Sequence, residues 1–204
     1  MLEYVAYDNC LLTTLPRNEG GFFMLKKRDV LDTPQLYELM TDPDVFPYVS
    51  SKANSCDEFY FLTKQIMEAE EHGELISRTI LDELFNPIGI ISLFDIKQRT
   101  GFLATWIGKP YFGKGYNKIA KNEFLYELFY QMQIDTVFIK VRHHNLRSLH
   151  AVAKLPFIKI GNLLYPHVFE QVNAEYPNPI FHLYVIEKLD FLHHFQTQNG
   201  ETAI

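Results

Sequence analysis

The segment Trp-Ile-Gly-Lys-Pro-Tyr-Phe-Gly-Lys-Gly-Tyr-Asn-Lys-Ile-Ala-Lys, residues 106 to 121, restricts what this chain can fold into more than any other. It opens like the end of a strand and closes like the start of an amphipathic helix, with only a short turn holding Gly113 and Gly115 between them. Strand, tight turn and helix in immediate succession belong to α/β architectures. Glycine allows positive φ in such a turn and lets the backbone approach another molecule closely. The first amides of the helix have no internal partner, and its dipole favours an anion. Successive amides in the turn form an anion-binding nest, and Lys114 and Lys118 add positive charge beside it. The arrangement suits a diphosphate. It is not a nucleotide P-loop, because GxxxxGK followed by Ser or Thr is absent, and no GxGxxG dinucleotide fingerprint occurs. On the glycines alone, relief of strain between strand and helix explains the turn equally well.

Upstream, Leu11 to Leu15 and Phe22 to Leu25 read as short strands around a Gly-containing connection at Pro16 to Gly21. Asp32-Thr33-Pro34 is a helix start, with Leu36, Leu39 and Met40 on one face and a stop near Asp42-Pro43. Ser55 and Glu58 form a capping-box pattern for a second helix that fades near Gly73. Residues 75–81, 88–96 and 102–107 read as an antiparallel meander. After the glycine turn come a helix carrying Ile119, Phe124 and Phe129, a β-branched strand at 136–141, and a short helix from about Asn145 to Leu155. Strands at 157–164 and 181–187 follow, then a polar tail that frays after about residue 195. This is a single α/β (α+β) domain over residues 1 to 204, its core at about 22 to 190.

Bulk properties exclude several function classes. Hydrophobic residues are 47% of the chain, with 17 Phe and 12 Tyr, enough for a sizeable core. A net charge of −6 without a Lys/Arg run argues against nucleic acid, although Lys109, Lys114, Lys118 and Lys121 cluster in sequence. Cys10 and Cys56 lie outside any CxxC pattern, which suits two free thiols in a cytoplasmic protein, and no signal peptide or membrane span is legible. No Cys/His/carboxylate spacing marks a metal site, so no metal is expected.

A second pattern lies one helix and one strand beyond the glycine turn: Asn145-x-x-Ser148, then Lys154-Leu155-Pro156-Phe157. With Trp106 and Gly113-Lys114-Gly115-Tyr116 ahead of it, and Leu39 to Val45 near the start, the chain resembles the GNAT acetyltransferase superfamily over residues 22 to 190. The likeness is to its RimJ/RimL-like branch of ribosomal-protein N-acetyltransferases. That resemblance implies a mixed, mostly antiparallel sheet with flanking helices, splayed open between the Trp106 strand and the strand at 137–141. It implies acetyl-CoA in the gap, its pantetheine pairing near Trp106, Ile107 and Gly108. Its pyrophosphate would lie on the turn from Phe112 through Gly113, Lys114, Gly115, Tyr116 and Asn117 to Lys118. Asn145 would bond the cofactor arm, with Ser148 at the same end. The implied activity is direct acetyl transfer to a primary amine, either a protein N-terminus or a small molecule. The first two helices and the loop from Asn173 to Pro179 would shape the acceptor cleft, in a monomer or homodimer with no nucleic-acid or membrane partner.

Departures from the family bear on catalysis. Phe112 stands where a polar residue is usual, Asn117 where Gly or Ala is, and Pro156 where the second pattern has Gly. Many relatives carry a Glu on the strand before the Trp; here that position is Phe102, and residues 101–107 hold no carboxylate. Asp95 is the substitute on the preceding strand, and His144, beside His143, is a group suited to proton transfer near neutral pH. Ser148 is the third catalytic candidate, and Tyr165 or Tyr184 is available to protonate a leaving thiolate. An acyl-CoA-binding protein without turnover and an empty scaffold are the competing readings.

Overall fold

A computed structural model describes residues 24–200. The strand at 11–15, the Pro16 to Gly21 connection, Phe22, Phe23 and Cys10 fall outside the described residues. The elements run β1 (Leu25–Lys27), α1 (Thr33–Met40), α2 (Cys56–Glu71), β2 (Ile76–Leu81), β3 (Pro87–Lys97), β4 (Thr100–Ile107) and α3 (Tyr116–Tyr126). Then follow β5 (Thr136–Arg142), α4 (Leu146–Ala153), β6 (Lys159–Ile160), α5 (Gly161–Leu164), α6 (Pro166–Asn173), β7 (Phe181–Glu187) and α7 (Lys188–Gly200). One sheet holds all seven strands in the order β1-β2-β3-β4-β5-β7-β6. Every neighbouring pair is antiparallel except β4 with β5.

The α1 and α2 starts follow the capping chemistry of their sequence. Pro34 occupies the first turn of α1, and Ser55 Oγ accepts the amide of Glu58 at 3.1 Å. The Glu58 carboxylate in return accepts the Asn54 amide at 2.6 Å, one residue before the cap that the box motif would use. One face of the sheet packs Ile80, Ile91, Leu93 and Leu103 against Phe124, Leu128 and Phe129 of the α3 segment. The other face packs Ile90, with half-buried Trp106, against Leu36, Met40 and Phe59 of α1 and α2. Period-2 alternation along β3 and β4 feeds both faces, as two-sided burial requires.

Three parts of the sequence reading are corrected. The strand expected at 157–164 is only Lys159–Ile160; α5 begins at Gly161, and α6 follows from Pro166. The cause is Asn162, whose side-chain oxygen accepts the Leu183 amide at 2.8 Å, where a continuing strand would have offered a backbone carbonyl. The polar tail is helical as far as Gly200 rather than frayed from about 195. Beyond Tyr126, α3 widens into a π turn over Glu127–Gln131. There Glu127 bonds Arg78, a buried β2 arginine that also bonds Glu70 of α2. The Cys56 thiol is free, as expected.

Candidate functional site

The expected splay is a matter of register. β4 pairs with β5 only through Thr100↔Thr136, Gly101↔Val137 and Phe102↔Phe138. β3 stays paired to β4 as far as Gly89↔Ile107, and β7 stays paired to β5 as far as Arg142↔Phe181. Residues 103–107 and 139–142 therefore face each other across a widening gap with no ladder bonds between them. Five residues of strand make that gap roughly 17 Å long. Its closed end lies at Phe102 and Phe138, whose rings are 5.6 Å apart.

At the open end the chain leaves β4 through a single 3-10 turn, Lys109–Tyr111, and enters the glycine turn. Gly113 and Gly115 have φ of +75° and +89°, and a Cβ added at either would meet no atom within 4 Å. Both glycines thus face open space in a backbone region that L-residues rarely adopt. Lys118 and Ile119 amides bond back to the Gly115 carbonyl; among the described residues the amides of 113 to 117 have no backbone acceptor. That cradle of free amides at the start of an 11-residue helix fits a diphosphate.

The sequence cluster of four lysines separates in space. Lys109 pairs with Asp44 at 2.7 Å, and Lys121 is buried, its amine pushed down to about 8 by desolvation. Lys114 and Lys118 remain exposed beside the cradle. Tyr116 is turned away: its hydroxyl donates to Glu83 in the β2–β3 turn, a bond that with burial pushes its pKa up to about 12. It anchors the first turn of α3, leaving its amide to the cradle. Half-buried Asn117 follows it.

His144, Asn145 and Ser148 reach the same open end from β5. Asn145 caps α4, its side-chain oxygen accepting the Ser148 amide at 3.1 Å. The Asn-x-x-Ser pattern is therefore a helix cap first, with the Asn145 amide group left over to donate to a ligand. Asn145→Ala should cost about 1 kcal/mol of stability through the lost cap, read as a shift of the urea midpoint. An unchanged midpoint would show that the cap is not formed. His144 is exposed in the turn before the cap, while the His143 ring lies 4.2 Å from that of His182. The Asn173 to Pro179 loop ends here too: Ile180 O accepts from the His143 amide, and Asn173 ties the loop base to Ile180 and Phe181.

Asp95 is placed apart from this group. It sits in the bulge one residue past Phe94↔Phe102, at the closed end, exposed and with φ +53°. Trp106 turns its ring into the α1–α2 cluster and its carbonyl toward Gly89 of β3, so that buried Ile107 presents its backbone to the gap. Gly108 spends its amide on Ile88. Of the tyrosines, Tyr165 donates to Glu187 at 2.7 Å.

Two arginines that the sequence did not single out also belong to this region. Arg147 of α4 lies 3.9 Å over the Phe112 ring and donates to the Asp44 carbonyl at 3.3 Å. It bridges the two walls at the mouth of the gap, and explains an aromatic ring in place of a polar side chain at Phe112. Arg28 lines a cavity of about 30 Å³ under α2, against the β3–β4 face. Nothing in the triplet Lys26-Lys27-Arg28 distinguishes its last member in advance.

A family model described as acetyltransferase (GNAT) domain matches residues 23–158. No curated protein matches the sequence. Among solved structures, RimL, the ribosomal L7/L12 alpha-N-protein acetyltransferase, in complex with coenzyme A is 16% identical with a TM-score of 0.64. The match covers 80% of this chain and 92% of that one. A variant of spermidine N-acetyltransferase SpeG from Vibrio cholerae is 17% identical with a TM-score of 0.63, covering 84% and 99%. A ribosomal-protein-S5-alanine acetyltransferase from Vibrio fischeri is 15% identical at 0.64, covering 83% and 96%. At such identities the likeness is one of fold.

Proposed function

This chain belongs to the GNAT acetyltransferase family, and from that premise we propose that it moves an acetyl group from acetyl-coenzyme A directly to a primary amine. The family uses acetyl-CoA, and the observation that carries the reading is the β4–β5 gap with the amide cradle at its mouth. In the proposed arrangement the amides from Gly113 to Asn117 hold the pyrophosphate, with Phe112 and the Lys118 side chain beside them. The free edge of β4 at Ile107, between Trp106 and Gly108, receives the pantetheine, and Asn145 and Ser148 hold the same arm from α4. Lys114 and Lys118 neutralise part of the phosphate charge.

The bound thioester supplies an activated acyl carbon: the amine nitrogen bonds to it, the C–S bond breaks, and the amine proton must leave. Holding amine and thioester in register across a narrow gap contributes much of the rate. Proton removal is assigned to His144, through water, because it alone among the proposed catalytic groups is an exposed imidazole beside the Asn145 cap. Ser148 assists at the cofactor arm, and Asp95 is the alternative acceptor from the closed end.

The measurement is calorimetric titration with acetyl-CoA and with coenzyme A, followed by thiol release across a panel of amines and peptides. Micromolar binding with turnover is the expected result. A folded protein that binds neither up to millimolar ligand would overturn the proposal. One observation favours a second reading, an acyl-CoA-binding protein without turnover: β4 has no carboxylate, and Phe102 packs on Phe138 where a proton acceptor is usual. Binding without thiol release on any amine would select it.

A further inference from the structure

Arg28 is 4% exposed, and its only hydrogen-bond partner among the described residues is Thr63 of α2, at 3.1 Å from Nη2. Its Nε and Nη1 are buried with no acceptor. Burial lowers its pKa to about 10 against the opposing charges of Asp32 and Glu70. Native proteins seldom leave a buried guanidinium so poorly matched, because each unpaired donor carries its full desolvation cost.

The register shows where Arg28 stands in the sheet. Lys27 pairs with Arg78, which puts Arg28 one step on, beside Ser77; Ser77 pairs with Ser92, and Ser92 with Ala104. Arg28, Ser77, Ser92 and Ala104 thus form one transverse row on the α2 face of the sheet. The two serines bond each other at 2.7 Å, and the small side chains of Ser92 and Ala104 line the cavity with Arg28. Tyr48, Phe59 and Trp106 complete its walls. The row ends at Ala104, inside the stretch of β4 whose outer edge borders the gap. Three strand spacings, about 14 Å, separate β1 from β4, and the arginine side chain spans roughly half of that.

We propose that Arg28 is the receptor for an anionic group on the acceptor, so that this site takes an amine joined by a short spacer to a carboxylate or phosphate, and rejects polyamines. The inference rests on the acetyl-transfer reading for its location, beside the β4 edge where the amine must arrive. A cavity lined by serine hydroxyls and by a guanidinium with two unbonded donors suits an acid, while the same cation repels a second ammonium.

The test has two arms. In the first, kcat/KM at saturating acetyl-CoA is compared for ω-amino carboxylates, aminoalkyl phosphates, neutral alkylamines of equal length and diamines. In the second, the ω-amino carboxylate and the aminoalkyl phosphate are each titrated into the protein without acetyl-CoA. Acids should exceed neutral amines by roughly 10- to 100-fold, the better of the two naming the anion. Arg28→Gln should bring that ratio close to one, and Arg28→Lys should restore part of it. Turnover of neutral amines or diamines as fast as acids overturns the anion site and leaves acetyl transfer standing. Arg28-dependent acid binding without any turnover keeps the anion site and defeats acetyl transfer. Absence of both acid binding and acid preference in the native protein overturns the proposal whatever the variants do.

Discussion

Gly115→Val will bind acetyl-CoA at least about 100-fold more weakly than the native chain while remaining folded. Gly115 has φ +89° and ψ −13° and sits at the start of α3. An L-residue held there costs about 1–2 kcal/mol, and a β-branched one is disfavoured further. No neighbour opposes the added carbon, since nothing lies within 4 Å of it. The strain is therefore relieved by rotating the turn itself, which turns the amides of 113 to 117 out of their shared direction. A diphosphate held by several charge-assisted bonds loses most of them together. Gly73 supplies the control: it has φ +74°, is equally unobstructed, and ends α2 far in sequence from the cradle. Gly73→Val should show a similar loss of stability and native affinity. Calorimetry on the three proteins decides the matter, and native affinity in Gly115→Val would mean that the pyrophosphate is not held by this turn.

The parts of this fold that sequence made legible are those set by local chemistry. Pro34, the Ser55 cap and the period-2 runs of β3 and β4 act within a few residues, and each produced the expected element. In the β3–β4 turn Gln98 and Arg99 take the positive φ, while Gly101 already lies in the strand. Where a distant partner decided, sequence failed. Phe157 to Leu164 has a strand's composition, yet Asn162 replaces the ladder by capturing Leu183, 21 residues away. The site divides along the same line. The cradle and the Asn145 cap are contiguous motifs, whereas Arg28 gains its meaning only when three strand registers align it with Ala104. Arg147 likewise matters only because the splay brings α4 over Phe112.

Glu123 carries the second large effect, because it makes the stability of the whole fold fall as pH rises through the neutral range. It lies on α3 and accepts the amides of Met24 and Leu25 at 3.0 and 3.2 Å, joining the helix to the start of β1. Desolvation raises its pKa from 4.5 to about 7; the two amide bonds oppose that rise, and Glu127 adds to it. Between about pH 4.5 and 7 the native state therefore holds a proton that the unfolded chain has released. Under linkage, stability decreases with pH wherever the native state binds more protons. The contribution is fully present below pH 4.5, and about 3 kcal/mol of it is gone above pH 7. Glu123→Gln keeps a carbonyl for one amide and carries no charge, at a cost of about 1 kcal/mol for the other bond. Its urea-unfolding free energy should lack this component of the pH dependence, and at pH 8 it should exceed the native protein's by about 2 kcal/mol. Glu187, whose carboxyl is held low by Tyr165 and Lys159, works in the opposite sense at acid pH and is common to both proteins. The comparison therefore isolates Glu123: parallel curves for the two proteins from pH 5 to 8 would mean that its carboxyl ionises in the native state as it does in the unfolded chain.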